Sequence, residues 1–260
     1  MAAKHLQSVT AYSATGTALS VVSGRIAYTF RLRGPAATID TACSSSLVSM
    51  HMAFSSLVMR QATMAFNTGV NLTLSPETPA MFQRAGMTTL DGRCKTLDAS
   101  ANGYVRGESV VTCLLHAGKG SETFGAILAG TSVNQAGRSA TLTAPNGPSQ
   151  QEVLRNALLY SDVRPEDVAR LQLHGTGTPL GDPIEIGAAS AVYAENHHSE
   201  RKGSLTLLAS KSWAGHGEPA AGMTGLWHVA QGLNHGCTLG ISHLRSLNQH
   251  VVSSLGGANR

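Results

Sequence analysis

The chain has 260 residues, of which 42% are hydrophobic and only 13% are charged, with a formal net charge of +4. Intrinsic disorder needs high charge and low apolar content, so this composition excludes it. A membrane-spanning protein is excluded because no stretch of eighteen residues lacks a polar interruption. Nucleic-acid binding is disfavoured because the basic residues are scattered rather than grouped. The composition predicts a globular chain with a sizeable core.

Short apolar runs alternate along the chain with segments of helical periodicity, which predicts an α/β fold with buried sheets. The predicted strands are Ala36–Ala42, Glu108–His116, Ala126–Val133, Arg170–His174 and Leu205–Ser210. The predicted helices are Ser44–Arg60, a segment capped by Ser149 and Glu152 that ends near Tyr160, a segment with Asp182 as N-cap, and one running from Pro219 to His235. The last eight residues are predicted to fray.

The four cysteines, at positions 43, 94, 113 and 237, are far apart and form no Cys-x-x-Cys pair. This spacing predicts neither a disulfide framework nor a metal site. The first residues lack the apolar core of a secretory signal. We therefore expect a reducing intracellular compartment, such as the cytoplasm.

Cys43 is the first candidate for chemistry, because it lies within DTACSSSL, where a predicted strand gives way to a helix. Free N–H groups and the positive end of the helix dipole would favour a thiolate there. The alternative is a small buried apolar residue, which is the commonest role of a free cysteine and the one we assign to the other three.

Two histidines occupy the same kind of junction. His174 opens HGTGTPLGDP, whose glycines allow a ligand to approach the backbone and whose Thr176 and Thr178 offer hydroxyls. His216 lies in KSWAGHGEPAAG, five residues after Lys211, a lysine that needs a carboxylate if it is buried.

Glu185 is the candidate partner for that lysine. Structural histidines and a solvated lysine are the alternatives, but strand-to-helix junctions are where open α/β sheets place their sites.

Five segments of the chain resemble β-ketoacyl synthases, most closely those of modular type I polyketide synthases. DTACSSSL at 40–47, HGTGTPLGDPIE at 174–185 and KSWAGHGEPAAG at 211–222 are similar to the three signatures of that family. DGRCKTLDASANGYVRGE at 91–108 and LTAPNGPSQQEVLRNAL at 142–158 resemble further stretches of it. The resemblance keeps the family's order and spans nearly the whole chain.

The resemblance implies a thiolase-like fold, in which two related α/β halves stack their helices between sheets. Residues 1–115 would form the end of the first half, and residues 116–260 most of the second. The implied reaction is a decarboxylative Claisen condensation, in which Cys43 holds an acyl group and a carrier-bound malonyl-type extender supplies the attacking enolate. His174 and His216 would donate hydrogen bonds to the extender's thioester carbonyl.

The resemblance also implies supporting roles and partners. Lys211 and Glu185 would orient the histidines, and Thr176 and Thr178 would face the phosphopantetheine arm of an acyl carrier protein. The implied partners are that carrier, a second copy in a homodimer, and neighbouring acyltransferase and other synthase domains. The domain itself would bind no cofactor and no metal.

Some features depart from the family pattern. Trp213 stands where asparagine is usual, and Gly217 stands where threonine is usual. The family domain carries more chain before its cysteine and, after its last helix, a Gly-Phe-Gly-Gly-type loop that completes the oxyanion hole. We therefore expect an incomplete domain, poorly soluble or inactive alone. The alternatives are a fatty-acid elongating synthase, an inactive remnant with a scaffolding role, and a thiolase-like hydrolase or degradative thiolase.

Overall fold

The computed structural model describes residues 9–118, 125–139, 141, 143–194 and 203–255. Its strands are β1 (Met64–Asn71), β2 (Ser109–His116), β3 (Arg170–Gln172) and β4 (Thr206–Leu208). Its helices are α1 (Ala11–Thr17), α2 (Leu19–Phe30), α3 (Ser45–Val58), α4 (Glu77–Arg84), α5 (Gly147–Ser161), α6 (Gly181–Tyr193), α7 (Lys211–Ala214), α8 (Ala221–His235) and α9 (Gln249–Leu255). Within these ranges, no helix has the length and hydropathy needed to cross a bilayer.

Strands β1 and β2 form an antiparallel pair in which Met64 lies opposite His116 and Asn71 opposite Ser109. Strand β2 confirms the strand predicted at 108–116, whereas β1 was not predicted. Helices α3 and α8 pack against one face of this pair. That face places the helix following Cys43 beside the helix following His216.

The inner face of β1 is polar, with Asn67 and Asn71 both buried. The Asn67 amide donates to the carbonyl oxygen of Ser46 at 3.1 Å, and the Asn71 amide donates to that of Gly107 at 2.7 Å. Between them, Gly69 has no room for a side chain, because a Cβ atom there would lie 2.9 Å from the Cα atom of Ala220. These contacts hold α3, β1 and the start of α8 close together.

The outer face of the β1–β2 pair is apolar and exposed. Alternate residues of both strands point away from α3 and α8, so this outer face carries several large apolar side chains. These are Met64, Phe66, Val70, Val110 and Leu114. Contiguous apolar surface of this kind is uncommon on monomeric proteins.

Strands β3 and β4 pair in parallel, with Leu171 opposite Leu207. They confirm the positions of two predicted strands, although each is shorter than predicted. Helix α6 packs between α5 and α9, and Leu173, Ile186 and Val251 form the apolar core beneath the sheet. Because the carboxyl ends of parallel strands meet at one edge, the segments that carry His174 and Lys211 emerge side by side.

Two predicted strands are wrong. Residues 36–42 are mostly exposed and form no strand, and the bridge between Thr41 and Cys43 is local. Residues 126–133 are irregular, and Gly130 lies against Ser161 at the end of α5. In both cases, no strand among the described residues lies alongside to share backbone hydrogen bonds.

Two predicted helix caps are also wrong. Asn146, not Ser149, caps α5, because its side chain accepts the Ser149 N–H at 3.1 Å. Helix α6 begins at Gly181, so Asp182 lies inside its first turn and its carboxylate bonds other segments. Of the predicted frayed tail, residues 253–255 are helical, and residues 256–260 lie outside the described ranges.

Candidate active site

Cys43 lies on a tight elbow immediately before α3. Ala42 adopts the left-handed region at a φ of 54°, which is uncommon for a residue with a side chain. The Ser45 hydroxyl closes the turn, since it accepts from the Thr41 N–H at 2.8 Å and donates to the Ala42 carbonyl at 2.6 Å. Strained backbone of this kind clusters at functional sites. The elbow presents the Cys43 thiol half-buried rather than packed into the core.

The structure brings Cys43, His174 and His216 together from three distant segments. The Cys43 sulfur and one ring nitrogen of each histidine all lie within 4.8 Å of one another. The two imidazole rings meet edge to face, with centroids 5.5 Å apart. His216 is buried and His174 is open to solvent. One molecule bound against the exposed ring could therefore reach all three groups.

Lys211 and Glu185 both bind the backbone at His174. The Lys211 ammonium donates to the His174 carbonyl oxygen at 2.7 Å. The Glu185 carboxylate accepts the N–H of His174 at 2.5 Å and that of Gly175 at 2.9 Å. The predicted lysine–carboxylate pair is thus bridged by a peptide group and is not a direct contact. This arrangement fixes the direction in which the His174 side chain leaves the chain.

His216 is held by the extended segment 104–107. Its N–H donates to the Val105 carbonyl at 2.8 Å, and its carbonyl accepts the Gly107 N–H at 2.9 Å. Its ring nitrogen Nδ1 accepts the backbone N–H of Glu218 at 3.2 Å. Because Nδ1 is an acceptor, the neutral ring carries its proton on Nε2. His216 can therefore donate a hydrogen bond to a ligand.

Both histidines are neutral at pH 7. Burial lowers the pKa of His216 to about 2, and the charge of Lys211 acts in the same direction. Crowding by protein atoms, followed by the Lys211 ammonium, also lowers the pKa of His174, although part of that side chain still meets solvent. Burial lowers the pKa of Lys211 itself, while Glu185 raises it.

The electrostatics of Cys43 differ from the expectation of a stabilised thiolate. Burial raises the pKa of the thiol, and this effect outweighs the opposing influence of Lys211 and of the residue's own backbone N–H. The resting side chain is therefore a thiol. Its proton must leave as the sulfur attacks, and a neutral imidazole lies close enough to take part.

The two threonines lie on the loop between His174 and α6. Thr176 is buried, and its hydroxyl lies 3.5 Å from that of Thr178. The Thr178 hydroxyl accepts the Gly181 N–H at 3.1 Å at the start of α6. Both residues thus stabilise the loop, and their contact with a phosphopantetheine arm stays a prediction.

Asp182, predicted from the sequence only as a helix cap, lies beneath the loop that follows His174. It is 1% exposed, and its carboxylate accepts the N–H of Leu97 at 2.7 Å and that of Gly177 at 3.1 Å. Burial raises its pKa, while these backbone hydrogen bonds lower it. Asp182 therefore ties the loop after His174 to segment 94–98. The aspartate was visible in the sequence, but its remote partners were not.

The two departures from the family pattern affect the surroundings of His216 differently. The Trp213 ring packs edge-on against buried His228, with centroids 5.3 Å apart, and His228 bonds Gln172 at 2.9 Å. Gly217 leaves little room for threonine, because a Cβ atom there would lie 3.0 Å from the Cβ atom of Ser109. Trp213 thus contacts a cluster behind the site.

A thiol and two imidazoles are also ligands that Zn²⁺ accepts. The Lys211 ammonium lowers the pKa of both histidines because its charge opposes a second positive charge nearby. The same charge disfavours a bound cation. The arrangement suits a reaction in which the thiol attacks an electrophile and the imidazoles stabilise an anionic oxygen.

The fold and this Cys-His-His arrangement place the chain among thiolase-like α/β proteins. The chain belongs to the β-ketoacyl synthase family: the profile of the beta-ketoacyl synthase N-terminal domain matches residues 1–119, and that of the C-terminal domain matches residues 125–245.

Relatives in that family are large polyketide synthases. The chain is 44% identical over 246 residues to polyketide synthase GfsA of Streptomyces halstedii, a match that covers 93% of this chain and 3% of that protein. It is 41% identical over 247 residues to erythronolide synthase EryA2 of Saccharopolyspora erythraea, covering 94% of this chain and 7% of that protein. The chain thus spans a small part of each relative.

Solved structures show the same fold. The ketosynthase from module 6 of the bacillaene synthase of Bacillus subtilis superposes with a TM-score of 0.85 at 35% identity, over 91% of this chain and 42% of that one. The oxazolomycin ketosynthase domain OzmH KS7 of Streptomyces albus also gives 0.85, at 30% identity, over 90% and 42%. The thiolase-like fold and the family predicted from the sequence are confirmed.

Proposed function

We propose that this chain carries the catalytic groups of a polyketide-type decarboxylative condensation. In the first half-reaction, the Cys43 sulfur attacks the carbonyl carbon of a carrier-bound acyl thioester. The bond between that carbon and the carrier sulfur breaks, and the carrier leaves as a thiol with the proton that Cys43 releases. The acyl group is then held on Cys43 as a new thioester.

In the second half-reaction, the extender loses carbon dioxide. The electron pair of the broken carbon–carbon bond forms an enolate, whose carbon attacks the acyl carbonyl on Cys43. A new carbon–carbon bond forms, and Cys43 leaves as a thiolate that takes a proton from solvent. His174 and His216 donate hydrogen bonds to the enolate oxygen, a role that neutral, preorganised donors fulfil.

The observation that carries this proposal is the convergence of one thiol and two neutral imidazoles within 4.8 Å. His216 has its acceptor nitrogen already occupied by the Glu218 N–H, so its free nitrogen is a donor. The relatives named above are polyketide synthases, which favours a polyketide over a fatty-acid product.

The partners follow from the same chemistry. Both half-reactions use thioesters on a phosphopantetheine arm, so we propose an acyl carrier protein as the main partner and Thr176 and Thr178 as contacts of that arm. An acyltransferase domain would supply the extender, and a second copy would complete a dimer. The chemistry needs a free thiol, which fits a reducing compartment.

The proposal is tested by incubating the chain with an acyl-pantetheine thioester and measuring its intact mass. We expect a mass gain of one acyl group on Cys43, located by peptide mapping. Cys43→Ser should abolish the gain, whereas Cys237→Ser, which alters an exposed cysteine outside the cluster of Cys43 and the two histidines, should keep it. Loading of the Cys43→Ser variant would contradict the proposal.

Release of carbon dioxide from malonyl-pantetheine tests the second half-reaction. His174→Ala and His216→Ala should each slow decarboxylation by about 10²–10³-fold, the usual effect of removing one oxyanion donor. Loading without carbon dioxide release would favour a thiolase-like enzyme. If the folded chain shows no loading and no release of carbon dioxide, that result would favour the scaffolding alternative.

A further inference from the structure

A hydrogen-bonded network of charged side chains, which does not include Cys43, His174 or His216, lies next to the Nδ1 atom of His216. The Arg106 guanidinium donates to Glu218 Oε1 at 2.6 Å, and the Tyr104 hydroxyl donates to the same oxygen at 3.2 Å. The Arg106 side chain is 11% exposed and that of Glu218 is 15% exposed. Arg106 also stacks over Phe82, with its guanidinium carbon 5.1 Å from the ring centroid. A carboxylate with two donors, largely shielded from water, is held in one place.

The anchored residue is the one that bonds His216. The backbone N–H of Glu218 donates to His216 Nδ1, and the Tyr104 ring meets the imidazole edge to face with centroids 4.9 Å apart. Tyr104 and Arg106 also flank Val105, whose carbonyl accepts the His216 N–H. The same short segment therefore fixes the main chain of His216 and the carboxylate beside it.

The backbone at Glu218 would not hold this position by preference. Its φ is +32°, in the region that residues with side chains rarely adopt, and Pro219 restricts it further. Such a conformation persists only where the surroundings over-determine it. Here the Arg106 and Tyr104 hydrogen bonds supply that constraint, and they aim the Glu218 N–H at the imidazole.

We propose that Glu218 and Arg106 are positioning residues that hold His216 in its Nε2–H tautomer. Without the anchored N–H, Nδ1 and Nε2 compete for the ring proton, and part of the population turns an acceptor toward the developing enolate oxygen. The catalytic meaning of this inference rests on the proposed function, but the tautomer itself does not require turnover.

The tautomer is measured on the chain by ¹⁵N NMR after labelling its histidines. His216→Asn identifies the signals of residue 216. We expect the wild-type ring to show one protonated nitrogen, Nε2, and one acceptor nitrogen, Nδ1. Arg106→Met and Glu218→Ala should each give a mixture of both tautomers. Glu218→Gln keeps the accepting oxygen and should keep the wild-type pattern.

Two further variants separate anchoring from folding. Glu218→Gly suits the positive φ but lacks the carboxylate, so it should fold and still show mixed tautomers. Glu152→Ala, on the exposed surface of α5, is the matched control and should change nothing. A Glu218→Gly or Arg106→Met protein with wild-type circular dichroism and an unmixed Nε2–H tautomer would overturn the proposal.

Kinetics provide a second readout. In malonyl-pantetheine decarboxylation, Arg106→Met should lower kcat about 10- to 100-fold, as expected when a group that orients a reacting imidazole is lost, with KM changed less than about twofold. A fall of the same size in the rate at which Arg106→Met loads Cys43 would indicate general damage and would overturn the proposal. If the wild-type chain shows no turnover but the tautomer shift occurs, the proposed function fails and the positioning role stands.

Discussion

Replacing His216 with asparagine should make the stability of the chain less sensitive to acid. Burial lowers the pKa of His216 to about 2 in the folded chain, whereas an unfolded histidine titrates near ~6.5. Between these values, the unfolded state binds a proton at this position that the folded state does not. The stability associated with the neutral ring is therefore complete above pH ~6.5 and is lost progressively as the pH falls toward the folded-state pKa of about 2.

The size of the effect follows from that difference. Between pH 5.5 and 4.5, the unfolded chain carries nearly one extra proton at residue 216, so the free energy of unfolding should fall by about 1.3 kcal/mol from this group alone. His216 is 3% exposed, so solvent screening removes little of this value. In His216→Asn, this contribution should vanish, which leaves the slopes from all other groups unchanged.

The assay is urea-induced unfolding, followed by the fluorescence of the two tryptophans at several pH values between about 4.5 and 7.5. His235→Asn, which replaces an exposed histidine at the end of α8, is the control for a histidine substitution outside the site. Parallel stability curves for wild type and His216→Asn would refute the reasoning, because His216 would then titrate alike in both states.

Three other predictions follow from the site. Gly107→Ala should destabilise the chain by about 1–3 kcal/mol and slow Cys43 loading, because the new Cβ atom meets the backbone carbonyl of Ala214; an unchanged melting temperature would contradict this. Asp182→Asn should cost about 1–3 kcal/mol in urea unfolding, since its amide faces a backbone N–H with a donor; a cost near zero would show that the carboxylate is not needed. In a variant whose other cysteines are serine, the rate of Cys43 alkylation by iodoacetamide should rise with an apparent pKa above that of an ordinary cysteine thiol, and Lys211→Met should move this pKa higher. An apparent pKa below the ordinary value would restore the thiolate expected from the elbow.

The positions of the candidate catalytic residues could be predicted because these residues lie at junctions that sequence patterns mark. Each candidate lies where an apolar run gives way to a helix in the sequence, and the structure places each one near the start of a helix or the end of a strand. These residues are Cys43, His174 and Lys211. The family resemblance assigned them roles that no pattern could supply. The protonation state of Cys43 was predicted wrongly. Its position at the start of a helix suggested a thiolate, but burial raises the pKa of the thiol more than the neighbouring charges lower it.

Elements with inverted polarity were missed. Strand β1 buries Asn67 and Asn71 and exposes Phe66, so its sequence gives no apolar inner face to recognise. The asparagines are tolerated inside because each bonds a specific carbonyl, which only the folded structure shows. The Arg106–Glu218 contact was missed for a related reason, since its two residues are 112 positions apart.

The site is assembled from segments that are remote in the chain, and this has a consequence for folding. Residue 43 leaves the ribosome long before residue 216 is synthesised. The contacts of the Cys43 thiol in the folded site therefore join residues that are distant in sequence, and they form late. Such contacts require loop closure over most of the chain and form slowly. Until then, Cys43 has neither the burial nor the neighbouring ammonium that set its reactivity, and it should behave like any thiol on an open chain. The reactivity of the Cys43 thiol during folding should therefore report when the segment that carries it makes contact with the segments that carry His216 and Lys211.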